Sequence, residues 1–209
     1  MDNLDLTDIA RRPQRYWNVD GLPELMMGLL WIVWGGAWLL GERIPRGGVY
    51  NAFWMFVPAL LALSGFAVAW ATRALKARIT FPRAGYVAWQ PPTRSARVGA
   101  AAVSLVTAMI LAATVIKTRN HAPTSDLAAP ILGVILSLAF LIAAVSQHAP
   151  HYLALAGVAV ALGIALGARG GGWESANWLF VLIGAASAAV GAARLALFLR
   201  SHPRPVESA

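Results

Sequence analysis

Ionisable residues inside apolar runs would carry the chemistry of this sequence, and there are few of them. Glu24 lies about one turn into the first apolar run, and Arg194 lies in the last third of the final one. A charge at the centre of a hydrocarbon layer costs about 2.5–3.5 kcal/mol on insertion scales, so such residues pair, line wet cavities or reach for headgroups. Both fall toward the same side if the chain crosses an even number of times, which permits an ion pair between them. The plainer account gives each its own role. Glu24 favours the positive end of a helix N-terminus, and Arg194 extends to the interface.

A second group is His148 and His151, which flank Pro150. Asp20 and Glu24 are expected at a similar depth. Two imidazoles and two carboxylates would suit a divalent metal. The His spacing across a proline fits no metalloprotease pattern, however, and loop histidines are ordinarily solvated. The sequence has no Gly-x-Ser-x-Gly elbow, Walker loop, dinucleotide fingerprint or His-Glu-x-x-His. Gly170-Gly171-Gly172 lacks the Lys-Ser/Thr of a phosphate loop. There is no cysteine, which removes thiolate and disulfide chemistry. No catalytic residue, cofactor or metal is assigned, and His148 and His151 stand as the candidates for a metal.

The elements that must hold these residues are apolar. Of 209 residues, 58% are hydrophobic and 12% charged, against about 25% charged in an ordinary soluble domain. A bilayer crossing takes about 20 apolar residues. Such runs predict an all-α membrane domain over 22–199, with helices at about 22–40, 53–70, 98–116, 127–145, 152–166 and 178–199. Residues 1–21 form a polar N-terminal segment, 73–97 a central loop and 200–209 a polar tail. Asp20 reads as the N-cap of the first helix, with Pro23 in its first turn. Trp31, Trp34 and Trp38 share one face of that helix. Packing over small residues accounts for them most simply; the alternative is the wall of a ligand cavity, with Glu24 and Arg194 at its end. Small residues recur at four-residue spacing in Gly157/Ala161, Gly163/Gly167, Gly184/Ala188 and Ser187/Gly191, and Ser64-Gly65 would also admit a neighbour.

Charge orients these helices. The net charge is +8, and six of the 17 Lys and Arg lie in 73–97. With both termini in the cytoplasm, twelve of the 17 fall inside and five outside, a positive-inside bias. The expected place is the bacterial cytoplasmic membrane, with three antiparallel helical hairpins. Topology accounts for the basic charge, so anionic headgroups are the expected partner and nucleic acid is not.

Within 73–97, Ile79-Thr80-Phe81 and Tyr86-Val87-Ala88-Trp89 flank the turn-forming Pro82-Arg83-Ala84-Gly85, which predicts a small β-hairpin. The stretch Lys76-Ala-Arg78-Ile-Thr80-Phe81-Pro82-Arg83-Ala84-Gly85-Tyr86-Val87 resembles a Lys-x-Arg-x-Thr-Tyr-Pro-Arg-Thr-Gly-Tyr-Val segment of a family of small, uncharacterised bacterial multi-pass membrane proteins. Arg15-Tyr-Trp-Asn-Val-Asp-Gly-Leu-Pro-Glu24 resembles the start of that family's first helix. Phe81 and Ala84 depart from the pattern. The resemblance covers about 25 residues and implies no activity, but it implies that the central segment is more than a spacer. Arg78 and Arg83 suit lipid phosphate or a partner's carboxylate, with Tyr86 and Trp89 holding the segment at the interface.

Three functions follow as expectations. The first is a non-enzymatic protein that docks another membrane or cytoplasmic protein, or anionic lipid, through 73–97. The second is a small transporter or channel with a Trp-lined cavity. The third is a membrane enzyme using Asp20, Glu24, His148 and His151.

Overall fold

A computed structural model describes residues 19–84, 126–147 and 149–203, and the described residues are almost wholly helical, without strands. In chain order they form α1 (Leu22–Arg43), α2 (Gly48–Ile79), the single turn α3 (Phe81–Ala84), α4 (Ala128–Ser146), α5 (His151–Gly167) and α6 (Gly172–Ser201). Three of these, Leu22–Arg43, Ala128–Val145 and Gly172–Ser201, are long and apolar enough to cross a bilayer. Large apolar side chains face outward along the helices, among them Val33, Leu60, Phe66 and Leu138. An outward apolar surface on long apolar helices marks a membrane protein.

Three, not six, is the count of such helices among the described residues. The expected crossing at 98–116 lies outside them, and α5 is apolar but only 17 residues long.

The boundaries of α2 differ most from expectation. It runs 32 residues, from Gly48 to Ile79, where the sequence predicts a helix over 53–70. The extension takes in Arg73-Ala-Leu-Lys76-Ala-Arg78, all good helix formers. The expected β-hairpin is corrected on its first side. Ile79 ends α2, and Phe81–Ala84 is a helical turn whose Arg83 and Ala84 amides donate to the Thr80 carbonyl. Pro82 fits the first turn of a helix, where no donor is needed. The other side, Tyr86 to Trp89, lies outside the described residues. α6 starts six residues earlier than expected, because the Asp126 carboxylate accepts the Gly172 amide at 3.2 Å and satisfies a first-turn donor.

The described residues fall into two compact units. One holds α1, α2, α3 and α6 from Phe180 onward; the other holds α4, α5 and α6 up to Leu179. In the second unit α4 and α5 are antiparallel. Gly133 meets Ala159 and Gly163, Gly163 meets Ala129 and Pro130, and Phe140 stacks on Tyr152 at 6.0 Å. In the first unit α1 lies antiparallel to both of its neighbours. Trp34 Nε1 donates to Ser64 Oγ at 3.2 Å, and Trp38 packs on Trp54 at 4.7 Å between ring centroids. On its other side, Gly28 faces Gly184 and Ala188, and Leu25 faces Gly191. Van der Waals contact between close backbones is what associates helices in lipid, where no hydrophobic effect separates them from solvent.

Candidate functional site

Polar side chains gather where the start of α1 meets the end of α2 and the last turns of α6. The geometry begins at Gly21, the N-cap of α1, with φ of 71°. A side chain would be strained in that left-handed conformation, and a Cβ there would also strike the Gly191 carbonyl and Arg194. This corrects the N-cap assignment: Asp20 sits one residue earlier. The turn brings the Asp20 carboxylate back over the helix start, where Oδ1 accepts the Leu22 amide at 3.1 Å.

The same carboxylate receives two side chains from the end of α2, Lys76 in its last turn and Thr80 at its C-cap. Lys76 Nζ donates to Oδ1 at 2.7 Å and to Oδ2 at 2.6 Å, and Thr80 Oγ1 donates to Oδ2 at 2.6 Å. Asp20 and Lys76 are 0% and 1% exposed. Lys76 and Thr80 are four residues apart and therefore share a face of the helix. Thr72, one turn earlier, is buried on that face and donates to the Val68 carbonyl at 2.8 Å.

Four residues after Asp20, Glu24 turns to α6. Arg194 Nη1 lies 2.7 Å from Glu24 Oε1, joining the two residues that the sequence places at one depth. Ser187 Oγ, two turns before Arg194, donates to the Glu24 carbonyl at 3.3 Å. The Glu24 side chain is fully buried, whereas that of Arg194 is 25% exposed. Lys76 lies beyond the apolar stretch of α2. Burial pulls its ammonium below the ordinary lysine value, against the hydrogen bond and charge of Asp20 and the charge of Glu24, while Arg194 adds to the lowering. Among the described residues, two acids and two bases thus share one electrostatic neighbourhood.

No protein family, curated protein or solved structure matches the chain. The chemistry of the site therefore rests on its own geometry. A carboxylate that takes four hydrogen bonds from three donor groups is an anchor: its lone pairs are engaged, and the lysine opposite it is fixed by two of those bonds. Buried pairs of this kind add little net stability over apolar residues, but losing one partner costs about 3–5 kcal/mol. Asp20 and Glu24 therefore hold α1 in one register against α2 and α6.

The other sequence candidates sit elsewhere. Trp31, Trp34 and Trp38 are half-buried on α1, with Trp34 and Trp38 packed against α2. Arg78 is exposed, whereas Arg83 turns back so that its Nη1 donates to the Ile79 carbonyl at 2.8 Å. His151 belongs to the second unit and packs on Tyr152 at 4.4 Å. His148, Tyr86 and Trp89 lie outside the described residues. Among the described residues no group of three or more His, Cys, Asp or Glu is placed to hold a metal.

Lys76 and Thr80 are the site residues that sequence reasoning passed over, by assigning Lys76 to a loop. Their signal is the polar stripe Thr72, Lys76, Thr80, one residue per turn on one face, which a loop has no reason to show.

Proposed function

We propose that the chain is a non-enzymatic multi-pass protein of the bacterial cytoplasmic membrane. It crosses six times with both termini inside, and the basic stretch after its second crossing docks on an acidic partner surface or on anionic headgroups. The supporting observation is the projecting end of α2. This helix continues nine residues past Trp70, about 13 Å at 1.5 Å per residue. Lys76, within that projection, is tied to Asp20, while Arg73 and Arg78 are exposed. Arg78 lies across the helix from Lys76 and Arg73 one turn before it, so an anchored helical end presents its exposed charge with little backbone entropy left to lose. The cavity reading draws no such support, because Trp34 and Trp38 are engaged with α2.

The pair to test is Arg73 and Arg78, since Arg83 is engaged with the Ile79 carbonyl. Near an anionic surface each arginine is worth about 1 kcal/mol. Arg73→Ala with Arg78→Ala should lower retention of the docked partner or bulk anionic lipid about thirtyfold. Quantitative mass spectrometry of material that copurifies in mild detergent gives the readout. A double variant that stays folded and retains every protein and lipid at the original level defeats the proposal.

A further inference from the structure

The last turns of α2 carry a patch with a definite layout. Arg73, Ala77 and Arg78 are exposed, and Ala74 is half-buried. At about 100° per residue, Ala74 and Ala77 lie side by side on the face between Arg73 and Arg78, which stand about 140° apart around the helix. Two methyl groups thus floor a notch with a guanidinium at each edge. The other face of the helix is closed, with Thr72, Lys76 and Thr80 buried along it.

The notch runs on into the apolar surface of the same helix. Trp70, Phe66 and Leu63 are exposed at 73%, 77% and 61%. Steps of four and three residues place them in one stripe below the two alanines. From Trp70 to Leu63 is about 10 Å along the axis, within the depth of about 15 Å of one hydrocarbon leaflet. The stripe therefore suits an acyl chain, and the Trp70 indole marks the level at which headgroups begin.

Charge selects the headgroup. Among the described residues neither Arg73 nor Arg78 forms an ion pair, since Asp20 and Glu24 are held by Lys76 and Arg194. Both guanidiniums are thus free to donate to a phosphate lying between them. Their two full charges outweigh the about half negative charge at the carboxyl end of a helix. No acidic residue stands among Trp70, Arg73, Ala74, Ala77 and Arg78 to hold the ammonium of a zwitterionic headgroup.

We propose that this notch seats one anionic phospholipid, with its phosphate between Arg73 and Arg78 over the two alanines and an acyl chain along Trp70, Phe66 and Leu63. The inference rests on the docking role proposed above and names its occupant as lipid, not an acidic protein.

The test uses the purified full chain in detergent, with phosphatidylglycerol and phosphatidylcholine of identical acyl chains added separately and retention read by native mass spectrometry. The wild type should hold one phosphatidylglycerol about thirtyfold better than phosphatidylcholine, the combined attraction of two arginines for an anionic lipid. Ala77→Phe fills the notch and keeps both arginines; it should bring phosphatidylglycerol down to the phosphatidylcholine level. Ala77→Leu, a strong helix former, should do the same and covers the case of a poorly folding Ala77→Phe. Equal retention of the two lipids by the wild type, or full phosphatidylglycerol retention by a folded Ala77 variant, overturns the assignment. A wild type without lipid preference whose Arg73→Ala, Arg78→Ala variant sheds a copurifying protein also overturns it, because the occupant is then that protein. Docking itself survives each of these results and falls only if the double arginine variant retains everything, so the two proposals fail separately.

Discussion

Lys76→Met should destabilise the protein by about 3–5 kcal/mol, the cost of leaving a buried charge without its partner. Methionine matches the length and helix propensity of lysine, so the loss falls on the interaction itself. Asp20, fully buried, would keep only Thr80 and the Leu22 amide among the partners given above. Adding Asp20→Asn should recover most of the loss, because the double variant contains no unpaired ion, the Asn Oδ1 still accepts the Leu22 amide, and its Nδ2 donates to the Thr80 hydroxyl, which turns from donor to acceptor. Unfolding followed by titration of a denaturing detergent into mild micelles compares the wild type, both single variants and the double variant. A single variant within about 1 kcal/mol of the wild type would mean that water already screens the pair, contrary to its burial. The consequence extends to function: Lys76 anchors the projecting turn that presents Arg73 and Arg78, so its loss should also weaken docking.

Apolar periodicity made much of the fold legible. α1, α4 and α5 begin and end within three residues of the expected spans, because the length of an apolar run is a local property. The Glu24–Arg194 pair was legible only as the alternative to the plainer account, in which Glu24 serves a helix N-terminus and Arg194 reaches the interface; the 2.7 Å contact between them corrects that preference. The end of α2 was not legible. Arg73 to Arg78 is basic, and charge counting assigned it to a loop, whereas helix propensity and a buried aspartate 56 residues away keep it helical. Nothing local to Lys76 names Asp20 as its partner. The small residues teach the same lesson. Gly184, Gly163 and Gly167 lie against neighbouring helices, but Gly65 and Gly157, read from the same kind of signal, have open space where a Cβ would stand. Sequence spacing marks which residues permit close approach; only the partner helix decides which are used.

Gly191→Ala tests that decision and should carry the other large effect. A Cβ at Gly191 runs into the Leu25 amide nitrogen and lies 2.7 Å from the Gly21 carbonyl. Both obstacles are backbone, so no rotamer change relieves the clash and α1 must move away from α6. Overpacking of a tight contact costs about 1–3 kcal/mol. Here the displacement also lengthens the 2.7 Å Glu24–Arg194 contact and the Ser187 hydrogen bond to the Glu24 carbonyl, so the loss should reach the top of that range or exceed it. Gly36→Ala provides the comparison on the same helix as Leu25. Nothing stands within 4 Å of a Cβ there, and replacing a mid-helix glycine by alanine gains up to about 1 kcal/mol. The two substitutions add the same methyl group to antiparallel neighbours, and the detergent titration should give them opposite signs. Equal effects at Gly191 and Gly36 would show that α1 and α6 do not touch along this seam, and the register that joins Glu24 to Arg194 would lose its basis.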